Sequence, residues 1–299
     1  MPEFGIRSTY SQCPFQIYLC DGDGIISTGT AFFFAEENET FFVTNWHNVS
    51  GKDSFDQTYL GNGQRTPLSI RAKFATWVGD SSKGEFTTVA TDVPLYSEDR
   101  STPVWFEHPE LGHRCDVVGI PFPKPKVIPE FMHNSANKIS DTRIPVKPGN
   151  AVFIIGFPQN LSVTFGLPIW KSGFIASEPH YDVTWGGKLS EIGGMSGGTS
   201  VPAFFVDALT RQGMSGSPVF ASYTGNWDMK DPYRPLNPDE SDFWNRNDVA
   251  IGESKMEFVG IYSGRIPSKE AEAALGFVWK ESAIRQICVS KKIGTHPHM

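Results

Sequence analysis

Short apolar runs separated by turn residues constrain the fold of this chain more than any other feature. From residue 14 the chain runs through PFQIYLC, the turn DGDG, IISTGTAFFF, the polar turn AEENE and TFFVTNW. Three more runs rich in β-branched and aromatic residues follow: LSIRAKFATWV, FTTVATDV and CDVVGIPF. Runs of this length, bounded by turn residues, predict strands joined by short connections. The first part of the chain is therefore predicted to form an antiparallel β unit.

A second β unit follows a stretch that is rich in Pro and Lys. Residues 121–149, PFPKPKVIPEFMHNSANKISDTRIPVKPG, have the composition of a connection between units. NAVFIIGFP, LPIWKSGFIASEP, PAFFVDALT, SPVFASY and EFVGIYSG then predict further strands. We expect an all-β fold with an N-terminal unit over 1–125, an interdomain linker over 126–148 and a C-terminal unit over 149–299.

Two parts of the second unit depart from strand patterning. Residues 224–255 are charged and aromatic, which predicts an inserted, exposed loop. KEAEAALG and KESAIRQICVSKK have helical patterning, and the second places Ile284, Ile287 and Cys288 on one face, which predicts a C-terminal helix. Strands and helices do not alternate and no repeat of solenoid period is present, so neither a parallel sheet nor a solenoid is expected.

The composition excludes several classes of partner. The formal net charge is −7 at pH 7, whereas a nucleic-acid partner needs a basic surface. No apolar run approaches the roughly 20 residues that cross a bilayer. The four cysteines form no C-x-x-C pair, and none has a histidine at zinc-ligand spacing. We therefore expect no nucleic acid, no membrane, no metal and no cofactor.

The N-terminal stretch MPEFGIRSTYSQ lacks the basic start and apolar core of a signal peptide. Four cysteines are also few for a secreted protein of this size. Both observations predict a reducing compartment, the cytoplasm. An exported protein whose leader has been removed would show the same pattern.

Two serines lie in similar surroundings, Ser196 in IGGMSGGTS and Ser215 in RQGMSGSPVF. GMSGG fits the G-x-S-x-G elbow of α/β-hydrolases, which requires a strand before the serine and a helix after it. Around Ser196 a Gly-rich segment precedes, and a proline and a strand follow. The histidines downstream of Ser196 are His296 and His298, in what we expect to be a frayed tail. The pattern favours a mobile loop at Ser196, with an esterase that uses this serine as the less favoured alternative.

Ser215 lies in a different context, between the predicted strands FFVDAL and PVF. Gly213 allows a backbone turn through which its own N–H and that of Ser215 converge on one point. Two such donors would form an oxyanion hole. Gly216 leaves the approach to the hydroxyl free of a side chain. Ser215 is thus the candidate nucleophile.

A serine nucleophile needs a base and an acid. His47 ends the strand of VTNWHNVSG, where an imidazole can face a cleft between two units. Asp116 begins the apolar run DVVGI, a costly place for a carboxylate without a partner. Asp92 in TDVPLY is the alternative acid, although a proline follows in its strand. The remaining histidines upstream of the tail are expected to be polar surface residues: His108, His113, His133 and His180.

The order His47, Asp116, Ser215 resembles that of chymotrypsin-like serine proteases. GTAFFF and FFVTNWHNV are similar to the segment that carries the family's histidine, CDVVGI to its aspartate segment and GMSGSPVF to its G-D-S-G-G-P segment. FVGIYSG resembles the strand whose serine, here Ser263, bonds the catalytic aspartate. LGFVWKESAIRQI is similar to the last strand and helix. The similarity runs in register from about residue 15 to 290.

Three positions depart from the secreted members of this family. Asn48 and Arg211 stand where those members have cysteines, so the usual disulfides are absent. Met214 replaces the aspartate that pairs with a newly cut N-terminus, so no proteolytic activation is expected. The chain looks more like the HtrA and bacterial trypsin-like branch, without a PDZ-like segment. We expect such an enzyme to be restrained by a regulatory partner or by conformation.

The resemblance implies a chymotrypsin-like pair of six-stranded antiparallel β-barrels with a C-terminal helix, and a serine endopeptidase acting on a protein or peptide through an acyl-enzyme. His47 would be the base, Asp116 would orient it, and the N–H groups of Gly213 and Ser215 would bind the oxyanion. A catalytically idle, protease-shaped binding module is the alternative. The implied specificity pocket is lined by Leu209, Thr210, Gln212, Ser263, Gly264, Arg265 and Gly276.

The residues of this pocket also predict its preference. Leu209 offers no charge to a basic substrate side chain, while Gly264 and Gly276 would leave room. We expect a medium or large apolar residue before the scissile bond (P1). Arg265, if folded over the pocket, would instead favour an acidic one.

Overall fold

The computed structural model describes residues 8–61, 64–77, 86–122, 134–185, 198–239, 243–265 and 275–298. Within these ranges the chain forms two antiparallel β units, a short helix α1 at Trp46–Ser50 and a helix α2 at Glu281–Ser290. Ser196, His133 and most of KEAEAALG lie outside the described residues. None of the described helices is long and apolar enough to cross a membrane.

The first unit is a six-stranded antiparallel sheet. Its strands are β1 Pro14–Asp21, β2 Gly24–Glu36, β3 Glu39–Thr44, β4 Ser69–Trp77, β5 Phe86–Pro94 and β6 Val118–Pro121. Their order across the sheet is β5-β4-β1-β2-β3-β6, so that β3 and β6 pair at one edge. This pairing matters for the site because β3 leads into α1 and the loop before β6 carries Asp116.

The second unit contains a closed barrel. Its strands are β7 Ala151–Gly156, β8 Ile169–Ile175, β9 Val183–Trp185, β10 Thr199–Val201, β11 Ala203–Asp207, β12 Pro218–Asp228, β13 Val249–Arg265 and β14 Leu275–Lys280. Six of them close in the order β11-β14-β13-β12-β7-β8, while β9 and β10 form a separate pair. The loop between β11 and β12 carries Ser215.

The alternation of side chains along β2 explains how the units dock. Phe33 packs into the core of the first sheet, stacked on Phe74 with ring centroids 5.8 Å apart. Phe32 and Phe34 point to the other face, where they join residues of the barrel and of α2 in a shared core. One strand thus contributes both to its own unit and to the interface between the units.

Helix α2 packs the predicted apolar face into this shared core. Ile284, Ile287 and Cys288 are all buried there. The prediction of an all-β, chymotrypsin-like fold with two six-stranded antiparallel units and a C-terminal helix is confirmed. Of the two predicted barrels, the second is closed, whereas in the described residues the first is a six-stranded sheet whose outer strands β5 and β6 do not pair with each other. All four cysteines are free and buried.

The segment after α2, predicted to be frayed, is instead bound to the first unit. The N–H of Gly294 donates to the carbonyl of Trp105 at 2.9 Å. His298 bonds the carbonyl of Ser50 through Nε2 at 3.2 Å and stacks on the ring of Tyr59. These contacts are made by backbone, rings and polar groups, so no apolar periodicity in the sequence signals them.

The predicted insertion at 224–255 is largely a paired hairpin. Thr224 pairs with Ser254 and Trp227 with Ala250, so β12 and β13 extend well beyond the barrel. The connection between the two strands is residues 229–248. At its base the buried carboxylate of Asp228 bonds the guanidinium of Arg246.

Candidate active site

His47 is positioned by the junction of β3 and α1. Strand β3 ends at Thr44, and Gly51 ends the helix in the left-handed conformation with its N–H bonded to the His47 carbonyl at 3.0 Å. Asn48 is buried and donates to the Thr44 hydroxyl at 2.9 Å. This hydrogen bond ties α1 to the end of β3 beside the imidazole.

Asp116 is buried, with 3% of its surface exposed. Its Oδ1 accepts the backbone N–H of His47 at 2.9 Å, and its Oδ2 lies 2.7 Å from Nδ1 of His47. The Ser263 hydroxyl also donates to Oδ2. The carboxylate therefore has three donors, which offset its burial. The alternative acid, Asp92, is exposed and paired with Arg71, with both carboxylate oxygens bonded to the guanidinium.

The pKa of His47 reflects two opposing influences. Burial lowers it, while the charge of Asp116, the hydrogen bond to Asp116 and the charge of Asp53 raise it. The net pKa lies above the ordinary value for histidine. With Nδ1–H engaged by Asp116, Nε2 is the nitrogen available to take up a proton.

Ser215 lies in a loop tied to both units. Its carbonyl accepts the N–H of Thr30 at 2.9 Å, and its hydroxyl donates to the carbonyl of Ser263 at 3.2 Å. Because the Ser263 side chain bonds Asp116, one residue links the acid to the serine. Gly216 has φ +88°, and a Cβ there would overlap the Thr30 carbonyl, so only glycine fits.

The peptide before Gly213 has a fixed orientation. The Gln212 carbonyl accepts the N–H of Gln159 at 2.6 Å. The Gly213 carbonyl accepts the Thr30 hydroxyl at 2.8 Å, and φ of Gly213 is +91°. In the part of the chain that the structure describes, neither the N–H of Gly213 nor that of Ser215 has a hydrogen-bond partner. Both donors are thus free to bind an oxyanion.

Among the predicted pocket residues, Thr210 and Gly276 both contact Tyr262, a residue that the sequence analysis did not single out. Thr210 is buried with its hydroxyl bonded to the phenol of Tyr262. The Tyr262 ring lies against Gly276, where a Cβ would stand 2.7 Å from Cε2, so this glycine makes room for tyrosine rather than for substrate. Burial raises the pKa of Tyr262 to about 12. Alternation in EFVGIYSG would place Tyr262 on the face of Phe258, but a register shift in β13 puts Phe258 in the shared core and Tyr262 in the core of the barrel, so no local pattern identifies Tyr262.

The other predicted pocket residues differ in what the structure shows of them. Arg265 pairs with Gly276 across β13 and β14, next to the pair of Gly264 with Phe277. Leu209 is 60% exposed, and Gln212 is exposed as well.

The other described histidines lie apart from these groups. Nδ1 of His108 accepts backbone N–H groups of its own turn, and His180 contacts the ring of Tyr233. Neither they nor His113 bond Asp116 or Ser215 anywhere in the described ranges. Across the same residues no cluster of three or more His, Cys, Asp or Glu side chains could hold a metal ion.

Comparisons with known proteins give one family match and several similar solved structures. A family model described as a trypsin-like peptidase domain matches residues 29–227. No curated protein sequence matches the chain. Among solved structures, the active form of the Rv3671c protease from M. tuberculosis is 15% identical with a TM-score of 0.46, covering 96% of this chain and 83% of that one.

Two further solved structures are similar at the same level. The HtrA-type protease AlgW with a tripeptide is 12% identical with a TM-score of 0.44, covering 94% of this chain and 60% of that one. The serine endoprotease from Yersinia pestis is 13% identical with a TM-score of 0.41, covering 95% and 67%.

Proposed function

This chain belongs to the trypsin-like peptidase family, and from that premise we propose that it is a serine endopeptidase acting through His47, Asp116 and Ser215. The observation that carries the proposal is the continuous set of hydrogen bonds from His47 to Asp116, from Asp116 to Ser263 and from Ser263 to Ser215. It joins the two units at the point where free backbone N–H groups lie.

The proposed reaction has two halves. The Ser215 hydroxyl leaves the Ser263 carbonyl, transfers its proton to Nε2 of His47 and attacks the substrate carbonyl carbon. The N–H groups of Gly213 and Ser215 stabilise the negative oxygen of the tetrahedral intermediate. His47 then gives the proton to the leaving amine, and an acyl-enzyme forms. Water, deprotonated by His47, hydrolyses the acyl group and restores the serine.

The Tyr262 ring changes the expected substrate. Since it occupies the space beside Gly276, the pocket is shorter than the two glycines alone suggest. We therefore propose an uncharged P1 side chain of moderate size, because Leu209, Thr210 and Tyr262 carry no charge and the charged pocket residue, Arg265, is exposed. Cleavage of a peptide library would test this, and a strong preference for basic P1 residues would contradict it.

The surroundings in which the enzyme works follow from its cysteines and charge. Free, buried thiols at all four cysteines fit a reducing compartment, the cytoplasm. The acidic total charge favours protein or peptide substrates over nucleic acid. Without a zymogen switch at Met214, restraint by a regulatory partner is part of the proposal.

Labelling with a fluorophosphonate probe tests the central claim. We expect the wild type and Ser196→Ala to be labelled equally and Ser215→Ala not at all, with peptidase activity of Ser215→Ala lowered by roughly 10⁴-fold or more. A folded wild type that is never labelled would indicate a binding module. Loss of labelling in Ser196→Ala alone would indicate an esterase.

A further inference from the structure

We infer that Gln16, in strand β1 of the first unit, is a positioning residue for the oxyanion loop of the second unit. The inference rests on the proposed function. Gln16 holds Gln159 and Asn160 in a strained backbone conformation, and Gln159 in turn fixes the direction of the Gly213 N–H.

The link nearest to the chemistry is the bond from the Gln159 N–H to the Gln212 carbonyl, at 2.6 Å. The carbonyl and N–H of a trans peptide point in opposite directions. While Gln159 holds the carbonyl of the peptide between Gln212 and Gly213, the N–H of Gly213 must point away from Gln159. If that carbonyl were released, the peptide could rotate and place an oxygen where a donor is needed.

The second link is the conformation of Gln159 and Asn160. Both have left-handed backbone angles, φ 51° and φ 63°, although neither is glycine. Residues that have a Cβ adopt left-handed backbone angles at an energetic cost, and two consecutive residues keep them only when surrounding contacts stabilise them. The turn follows Phe157, whose carbonyl accepts the Asn160 N–H at 3.2 Å. Local bonds thus exist, but they are few.

The third link is the side-chain amide of Gln16. Its Nε2 donates to the backbone carbonyl of Asn160 at 3.1 Å and also to the Asn160 side-chain oxygen. Its Oε1 accepts the hydroxyl of Tyr18 at 2.9 Å. The Tyr18 oxygen in turn accepts a bond from Nζ of Lys73 at 2.9 Å.

This chain of bonds fixes the direction of the amide. Lys73 can only donate and therefore engages the Tyr18 oxygen as an acceptor, which leaves the hydroxyl hydrogen for Oε1 of Gln16. The reversed amide would place an oxygen against the two oxygens of Asn160. Gln16 is 5% exposed, so water does not replace these bonds. A buried amide on one unit thereby holds a strained turn on the other.

Gln16→Leu tests the inference, because leucine fills similar space without donating. We expect kcat for a peptide substrate and the rate of fluorophosphonate labelling to fall at least tenfold, part of the 10²- to 10³-fold effect of losing an oxyanion donor. KM should stay within about twofold, and the midpoint of the acidic limb of the pH profile should not move, since His47 is untouched.

Asn137→Leu is the matched control. The side-chain amide of Asn137 also forms hydrogen bonds to backbone that is far away in the sequence. It donates to the Ala35 carbonyl at 2.7 Å and accepts the Ala35 N–H at 3.0 Å. We expect a lower melting temperature with kcat unchanged. An equal loss of kcat in Asn137→Leu and Gln16→Leu would overturn the inference, because it would mean that any such bond affects activity through stability.

A rescue experiment distinguishes an effect of Gln16 on the conformation of residues 159 and 160 from a general effect on stability. Glycine adopts left-handed angles at no steric cost, so Asn160→Gly should restore part of the activity when added to Gln16→Leu. A double variant no better than Gln16→Leu would contradict the inference. If Gln16→Leu does not fold, Tyr18→Phe is the second variant, because it removes the hydrogen bond that orients the Gln16 amide and leaves residues 159 and 160 unchanged. A kcat of Tyr18→Phe equal to that of the wild type would then overturn the inference.

Crystal structures of the wild type and of Gln16→Leu give a readout that does not need activity. We expect the peptide between Gln212 and Gly213 to be rotated in the variant only. An inactive wild type with this difference would refute the proposed function and keep the inference. An active wild type, with the same peptide orientation in the variant, would refute the inference and leave the proposed function standing.

Discussion

The two β units hold their reactive residues in different ways. His47 and Asp116 are held mainly by their own unit, through Asn45, whose amide donates to the Asp116 carbonyl at 2.7 Å, and through the β3–β6 pairing. The Ser215 loop has glycines at its turns and is held from outside by Thr30 of the first unit. The His47–Asp116 pair thus rests mainly on one unit, with one bond from Ser263 of the second, whereas the Ser215 loop depends on contacts between the units.

The largest effect should come from the acid of the first unit. Asp116→Asn keeps the shape of the side chain but removes the charge that fixes the imidazole, so kcat should fall by about 10⁴-fold. Steady-state kinetics on a peptide substrate measures this. Asp92→Asn, at the exposed alternative acid, should leave kcat unchanged. Equal losses in the two variants would contradict the assignment of Asp116.

Breaking the contact between the units should come next. Gly216→Ala places a methyl group against the Thr30 carbonyl at φ +88°, so the Ser215 loop must move. We expect kcat to fall by roughly 10²- to 10³-fold and the free energy of unfolding by about 3 kcal/mol.

Gly22→Ala is the control for this change, because a Cβ at Gly22 would meet nothing within 4 Å. Kinetics and thermal melting of both variants decide the point. If Gly216→Ala kept wild-type kcat, the loop would not depend on the interface.

Thr30→Val weakens the same contact more gently. The buried Thr30 hydroxyl donates to the Gly213 carbonyl and accepts the N–H of Phe157 at 3.3 Å. Valine has the same shape but cannot make these bonds, so the free energy of unfolding should fall by about 1–3 kcal/mol. We also expect kcat to fall about tenfold, because the lost hydrogen bond helps to orient Gly213, whose N–H is one of the two proposed oxyanion donors.

Thr44→Val gives the comparison within one unit. The Thr44 hydroxyl donates to the Thr30 carbonyl at 2.9 Å and accepts from Asn48. We expect Thr44→Val to lose about as much free energy of unfolding as Thr30→Val, with a smaller loss of kcat. Denaturant unfolding and steady-state kinetics measure the two quantities. A larger kcat loss in Thr44→Val would reverse the contrast between the units.

The smallest effect concerns the pH profile. Activity needs neutral His47, whose pKa lies above the ordinary value, so activity should rise with pH through a midpoint above about 6.5. Asp53→Asn removes one of the charges that stabilise the imidazolium. The pKa should fall, and the midpoint of the acidic limb of kcat/KM should move slightly to lower pH. Movement to higher pH would contradict this electrostatic account.

Local patterns accounted for the strands and for the apolar face of α2. Alternation and turn residues are properties of neighbouring positions, so a sequence displays them directly. The candidate acid, base and nucleophile were identified by motif order and resemblance rather than by any local rule.

The contacts that hold the Ser215 loop could not be predicted in this way. Gln16 and Asn160 are 144 residues apart in the chain, and Thr30 and Gly213 are 183 apart. Each contact depends on a register between two units that no short pattern encodes. Tyr262 was not predictable either, since a register shift in β13 breaks the alternation between Phe258 and Tyr262, and Ile261 beside it is also buried.

The bound segment after α2 limits how the two units can move. A domain attached by one connection can swing open as on a hinge. Here residues 292–298 return to the first unit, where Nζ of Lys52 holds the Pro297 carbonyl at 2.7 Å and His298 bonds the end of α1. A hinge opening would have to break the contacts of residues 292–298 with the first unit, whereas small sliding displacements of the units would not. The segment after α2 therefore ties the second unit to the first at a point separate from the connection between β6 and β7.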